Sequence, residues 1–386
     1  MSIFNFVKNK NKVKFINKII SENIKNDNFI YIFAYSYFDK DGINYYSGGG
    51  ERYVNDLSEI ILSLGYKPVL IQKGNPFAKE AWSKNFNNML VIGVNADEEN
   101  YFNIIANLNS PKLAIYSGSD NWGIKAHHPS ILLSHGITWD TPEENANLEK
   151  LQKNLNFADY IISVDTNTIS WYRSTFPKLI KKNNIKMKYI PNYVDLDLFT
   201  PNSNKHSDYV TIIYPRRCCE ERGFWLIANV IPKVLQEFKN VKFNLVGYAH
   251  SKEIEDKIKK LKEQYPNNVY HSVVNAQEMV DQYQNADIAV VPTLYCEGTS
   301  LSCIEAMACG NAVITTDVGG LPNLVINNYN GVLTEPDETE IYEALQKVII
   351  NTEYRKRLQE NALDVVKVFS KKEWTEKWEA ILKRIL

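Results

Sequence analysis

The chain is poor in the residues that staples and metal centres require. Only 5 cysteines and 6 histidines occur in 386 residues. The cysteines are Cys218, Cys219, Cys296, Cys303 and Cys309, and none forms the C-x2-C pair of a zinc ribbon. An odd count without an export signal argues against a disulfide framework, so these are read as buried or free thiols. Charge of one sign is missing too: Lys and Arg number 44 against 45 Asp and Glu, a net charge of −1. That excludes a surface basic throughout, as nucleic-acid binding favours, and confines any anion site to a local patch. No apolar run approaches the ~18 residues of a membrane-crossing helix. The opening MSIFNFVKNKNK scatters charge where a signal peptide keeps an unbroken apolar core, so a cytoplasmic protein is expected. What remains is ordinary globular composition, 44% hydrophobic and 23% charged, which sets aside disordered and fibrous classes. At ~150 residues per domain the length implies two or three domains.

Residues 1–28 read as an appended amphipathic helix. Phe6, Val13, Ile16 and Ile20 fall near helical spacing among Lys8, Lys10, Lys12, Lys14 and Lys18. A peripheral membrane contact and a helix packed on the domain with a solvated basic face are both open, and the packed helix is favoured. From Phe29 strand and helix signals alternate. Apolar runs such as Phe29–Ala34, Leu90–Val94 and Ile161–Val164 are separated by helical patterns such as Val54, Leu57, Ile61 and Leu64. That alternation predicts a doubly wound α/β sheet. Pro191, Pro201 and the Asn and Asp residues between them mark a linker, after which a second α/β series begins at Val210. The expected architecture is two Rossmann-like domains facing each other across a cleft, residues 29–200 and 201–368, with a C-terminal helix at 369–386 lying across the interdomain surface. Ligands of such sheets sit beyond the carboxyl ends of the strands.

The most informative segment is PTLYCEGTSLSCIEAMACGNAVITTDVGG, residues 292–320. A strand ends near Pro292, a loop of Gly298, Thr299 and Ser300 follows, and a helix begins near Leu301. Successive backbone N–H groups and a helix N-terminus then point at one spot, which suits a diphosphate. Glu297 on the loop can reach a ligand, and Glu305, one turn into the helix, can accept from ribose hydroxyls. A second segment, YPRRCCEERG at 214–223, follows the first strand of the second half, where Arg217 and Arg222 can together hold a diphosphate.

Together these strings resemble family 4 retaining glycosyltransferases of the GT-B fold. The family's Glu-x7-Glu followed by Ala-Met-Ala-x-Gly corresponds to Glu297, Glu305, Ala306-Met307-Ala308 and Gly310. Its Arg-x4-Lys-Gly corresponds to Arg217, Arg222 and Gly223. Its Gly-Gly-x-Glu-Arg loop is matched by Gly48-Gly49-Gly50-Glu51-Arg52, and its linker by Pro191-Asn192-Tyr193-Val194-Asp195 and Phe199-Thr200-Pro201. The resemblance covers about residues 29–350. It implies transfer of a sugar, with retention, from a nucleotide-diphosphate donor to a glycan, lipid-linked or protein acceptor in bacterial surface glycan or glycoprotein synthesis. A UDP-sugar is favoured, with no cofactor, no metal and no nucleic acid. The catalytic set it implies is Glu297, His135, Arg217 and Arg222. His135, in Ser134-His135-Gly136 after the apolar run Ile131–Leu133, is the candidate for the histidine that the family often carries in its N-domain. Donor binding falls to Gly49, Gly50, Gly298, Thr299, Ser300, Leu301 and Glu305.

Three positions depart from the pattern. Arg222 replaces Lys, Tyr193 replaces a linker Gly, and Ala249 stands where Gly is common. Asp195-Leu196-Asp197 is a D-x-D triplet, which in the unrelated GT-A enzymes holds a metal; here it falls in the linker string, where an Asp is expected. Two other readings stay open: a sugar-nucleotide 2-epimerase, and a nucleotide-sugar-binding module without catalysis.

Overall fold

A computed structural model describes residues 3–24, 28–46, 48–78, 81–118, 127–136, 151–202 and 207–386, with side chains of the first helix from residue 9 onward. The chain divides into two compact units, residues 1–190 with 375–386, and residues 191–374.

In the first unit the strands are β1 (Phe29–Phe33), β2 (Lys67–Lys73), β3 (Trp82–Phe86), β4 (Met89–Val94), β5 (Leu113–Ser117), β6 (Ser130–Ser134), β7 (Tyr160–Ser163) and β8 (Lys186–Tyr189). They form one sheet in the order β3-β4-β2-β1-β5-β6-β7-β8. Pairing is parallel except for β3 against β4. Every residue of β1 and of β4 is buried, because a parallel sheet is covered on both faces and its strands become continuous apolar runs. The helix Gly49–Ser63 buries Tyr53, Val54, Leu57, Ile60 and Ile61, the stripe that its sequence spacing announces. The chain winds outward from β1 through β2, then returns to β5 on the other side of β1. The carboxyl ends of β1 and β5 therefore form this sheet's switch point, where ligands of open α/β sheets bind.

The N-terminal helix Ile3–Asn23 packs on this unit. Ile16, Ile20 and Ile24, spaced by four, are buried in the same core as β1 and β4, with Val13 and Ile19 against it. Asn9 Nδ2 donates to Asn100 Oδ1 at 2.6 Å, and Asn109 N donates to Asn17 Oδ1 at 3.0 Å. The apolar stripe is thus taken up by the unit's own core, which is the packed-helix reading. Phe6 and Lys8 lie outside the described side chains. Among the described residues no helix is long and apolar enough to cross a membrane.

In the second unit β9 (Val210–Tyr214), β10 (Val241–Val246), β11 (Val269–Ser272), β12 (Ile288–Val291), β13 (Ala312–Thr316) and β14 (Val332–Thr334) form a parallel sheet in the order β11-β10-β9-β12-β13-β14. Its switch point lies between β9 and β12. The linker residue Tyr193 is buried against Trp374, with ring centroids 4.5 Å apart, and Val194 bonds to the backbone at Phe369. The final helix, Lys371–Ile385, begins in this unit and ends in the first. There the buried Trp378 donates from Nε1 to Tyr53 Oη at 2.8 Å. Both tryptophans are core residues, fully or almost fully buried.

Candidate functional site

The segments after β9 and β12 meet at the second switch point. The segment after β9 carries Arg216, Arg217 and a 3-10 turn, Glu220–Arg222. Tyr214, the last residue of β9, is buried, and its hydroxyl lies 3.0 Å from the Arg217 carbonyl and 3.1 Å from the Arg222 carbonyl. The turn closes on Gly223 at φ +73°, where an added Cβ would sit 1.7 Å from the Pro292 carbonyl oxygen. Only glycine permits that backbone and that approach, and the approach sets Arg222 beside the end of β12.

The segment after β12 carries Thr293 and Glu297, then the helix Leu301–Ala308. Its backbone is held from several sides. Gly320 N donates to Glu297 O at 2.7 Å, and at Gly319 an added Cβ would meet that same oxygen at 2.4 Å. Asn192, from the linker, donates from its backbone N to Thr299 Oγ1 at 3.1 Å and from Nδ2 to Thr299 O at 2.9 Å. Ser302 Oγ donates to Pro215 O at 2.9 Å, which ties the helix start to the end of β9.

Three donors converge on one oxygen, Glu297 Oε2. They are Arg216 Nη2, Arg222 Nη1 at 2.7 Å and Thr293 Oγ1 at 3.1 Å. Arg216 Nη1 also donates to Thr293 Oγ1. The Arg216 and Glu297 side chains are 7% and 10% exposed, and Arg222 is 25% exposed. Burial pushes the Glu297 carboxyl up, but the guanidiniums of Arg216 and Arg222 and the hydrogen bonds outweigh it and hold the pKa below the usual glutamate range. The triad of two arginines and one glutamate carries a net positive charge, with Glu221 of the same turn also within electrostatic reach of Arg222. Partial burial strengthens the attraction of such a group for an anion. Beside it the Ser300 hydroxyl is buried without a hydrogen-bond partner among the described residues.

Of the expected residues, the structure brings Arg222, Glu297, Gly298, Thr299, Ser300 and Leu301 to this one place. Glu305 lies on the same helix, is 9% exposed and accepts from Tyr283 Oη at 3.2 Å. Arg217 is not in the Glu297 triad; its Nη1 lies 3.4 Å from Tyr248 Oη. The triad uses Arg216 instead, a residue given no role from sequence. The adjacent arginines were visible there, but motif spacing does not decide which of two neighbours turns inward at a strand end. Asp195 Oδ1 accepts from Asp197 N at 3.0 Å, so the D-x-D triplet forms a backbone-capping turn.

The remaining candidates belong to the first unit. His135 follows β6, with Nε2 3.2 Å from Ser117 Oγ at the end of β5 and its ring edge-on to Tyr53 at 5.1 Å. Burial pushes its pKa down to about 4, so the ring is neutral at pH 7. Gly49 and Gly50 open the helix that follows β1.

Comparison with known proteins agrees with this reading of the second unit. Residues 197–365 match the family model described as glycosyl transferases group 1. The match lies wholly within the second unit. One subunit of the human phosphatidylinositol N-acetylglucosaminyltransferase is 27% identical over 186 residues, 47% of this chain and 37% of the human protein. An uncharacterized glycosyltransferase of Methanocaldococcus jannaschii is 33% identical over 156 residues, 38% of this chain and 42% of the relative. The chain thus spans less than half the length of these curated relatives. Solved structures match over both units. Sucrose-phosphate synthase from Thermosynechococcus elongatus gives a TM-score of 0.73 at 19% identity, covering 92% of this chain and 98% of that one. Anabaena HepE in complex with UDP gives 0.69 at 16% identity, covering 92% and 100%. At such identities the likeness establishes the fold, two parallel-sheet domains of GT-B type.

Proposed function

We propose that this protein transfers a sugar from a nucleotide-diphosphate sugar, with a UDP-sugar favoured, to a glycan, lipid-linked or protein acceptor, with retention at the anomeric carbon, as the family 4 resemblance implies. The observation that carries the reading is the pair of guanidiniums, Arg216 and Arg222, converging at the β9/β12 switch point beside the start of the Leu301–Ala308 helix. In the reaction the bond between the anomeric carbon and the β-phosphate oxygen breaks with its electrons going to the phosphate. The acceptor oxygen bonds to the same face of the carbon, and its proton passes to the leaving phosphate. The cost lies in the charge that develops on the diphosphate, and preorganised cations and amide N–H groups lower it. Arg222, Arg217 from the sequence motif, Arg216 from the triad and the amides at Gly298–Leu301 serve that role. Glu297 orients the donor sugar through its hydroxyls, Glu305 takes the ribose, and neutral His135 contacts the donor sugar. Gly49 and Gly50 let backbone come close to phosphate or acceptor. The reading calls for no metal and no cofactor. A cytoplasmic setting and a role in surface glycan or glycoprotein synthesis complete it.

The test is a thermal-stability panel of UDP, GDP, TDP, ADP and CMP with EDTA present, followed by transfer or hydrolysis assays on sugars of the responding base. A ligand at 100 times its Kd adds ~2.7 kcal/mol. A response to one diphosphate, and an α product from an α donor by NMR, supports the proposal. Release of a free epimerised sugar without acceptor supports the epimerase instead. Binding without turnover on any acceptor or water supports the binding module.

A further inference from the structure

The triad raises a conflict that its geometry resolves. The two cations best placed for a donor diphosphate are already bonded, both to the same carboxylate oxygen. A buried carboxylate held by two guanidiniums occupies the position of an anionic ligand. The same carboxylate, while held there, cannot present that oxygen to a sugar hydroxyl. The backbone around it is anchored at Glu297 O and at Thr299, so the side chain is the part free to change partners. Arg222, at 25% exposed against 7% for Arg216, is the more accessible of the two cations.

We propose that Glu297 is a resident anion that fills the diphosphate position when no donor is bound, and that it sets the site's selectivity for diphosphates. A ligand must displace the carboxylate from Arg222 and from Arg216. One phosphate of modest charge competes poorly with a carboxylate already in place, whereas a diphosphate brings enough charge and enough oxygens to take over both forks. Displacement then frees Glu297 Oε2 as well, so both oxygens of the sugar-orienting group are available once a diphosphate has arrived. Glu297 is thereby a specificity-determining residue twice over, against monophosphates before exchange and for sugar hydroxyls after it. The sugar half of this inference rests on the glycosyltransferase reading; the anion half does not.

The experiment compares wild type and Glu297→Gln by calorimetry with inorganic pyrophosphate, inorganic phosphate and UDP. Glutamine keeps the shape and removes the competing charge. The expected result is at least a tenfold gain in pyrophosphate and UDP affinity, which is ~1.4 kcal/mol. The gain for inorganic phosphate is larger still, so that the preference for pyrophosphate over phosphate narrows. Sugar transfer falls in the same variant. Unchanged or weaker pyrophosphate binding in Glu297→Gln overturns the inference, as does a preference for pyrophosphate that stays the same. Should Glu297→Gln fail to fold, Glu297→Asp, which keeps the charge and withdraws it by one methylene, is expected to gain pyrophosphate affinity by a smaller factor; no gain overturns the inference equally. A gain in pyrophosphate affinity without any nucleotide binding or transfer in wild type would sink the glycosyltransferase reading and leave the resident anion standing.

Discussion

Arg216→Met separates a structural from an electrostatic account of the triad. Methionine retains the aliphatic stem and removes both donors, the one to Thr293 Oγ1 and the one to Glu297 Oε2. Removing one partner of a buried ion pair costs ~3–5 kcal/mol, because a charge is left buried and under-compensated. Here Arg222 remains at 2.7 Å, so the lower end, about 3 kcal/mol, is expected at pH 7. At ~2–4 °C per kcal/mol for a unit of ~150–250 residues, Tm falls by about 6–12 °C. The pH dependence carries the argument further. The folded pKa of Glu297 is depressed, so its contribution to stability is fully present above the ordinary glutamate value and is lost as pH falls through the depressed one. In Arg216→Met, burial is offset by Arg222 alone, the pKa rises, and part of that contribution is already missing at neutral pH. The stability gap between wild type and variant is therefore widest at pH 7 and closes as acid protonates Glu297 in both. Urea unfolding of the two proteins at pH 7 and at successively lower pH, through the ordinary glutamate range and below it, measures it. A gap under about 1 kcal/mol at pH 7, below the range for a broken buried pair, or one constant with pH, would refute the reasoning.

Gly223→Ala places a Cβ against the Pro292 carbonyl at a backbone angle of φ +73°; the turn must move, and with it Arg222, so UDP binding measured by calorimetry falls at least tenfold and Tm drops. His135, neutral because burial holds its pKa near 4, contributes no ionisation between pH 6 and 8, so a limb near the ordinary value of about 6.5 in the transfer rate that vanishes in His135→Gln would contradict its burial. Trp378→Phe removes the 2.8 Å bond to Tyr53 Oη inside a buried contact and costs about 1–3 kcal/mol in urea unfolding, less when Tyr53→Phe is already present because the two substitutions remove the same bond.

Much of this arrangement was legible in the chain because its determinants are local. The apolar runs at β1, β4 and β12 and the helical stripe at Val54, Leu57 and Ile61 read directly as alternating strand and helix, and that alternation specifies a doubly wound sheet whose ligands gather at strand carboxyl ends. The loop and helix at Glu297–Ala308 were legible for the same reason, since small residues between a strand and a helix leave backbone N–H groups turned outward. What stayed hidden depends on partners far away in sequence. Whether Arg216 or Arg217 turns inward is decided by Tyr214 holding the turn's carbonyls and by a carboxylate some eighty positions later. The stitching of Asn192 to Thr299 joins the linker to the loop across a comparable distance, and a linker composition carries no trace of it. The N-terminal helix gave its amphipathic stripe but not the surface that receives it.

The same contrast accounts for why a charged triad persists at a place where apolar packing would be at least as stable. Buried ion pairs contribute little net stability against hydrophobic residues of the same volume, so stability alone does not call for a triad here, and the selectivity proposed above supplies a reason for it. The surrounding contacts fit that purpose. The Gly320 bond to Glu297 O, the Asn192 bonds to Thr299 and the Ser302 bond to Pro215 O fix the main chain on both sides of the carboxylate, and none of them involves the carboxylate itself. A site built this way can exchange one anion for another without refolding its loop. The free-energy difference between the two occupied forms then reduces to how well each anion matches the two arginine forks, and that match, rather than the area of the pocket, is what distinguishes a diphosphate from other anions.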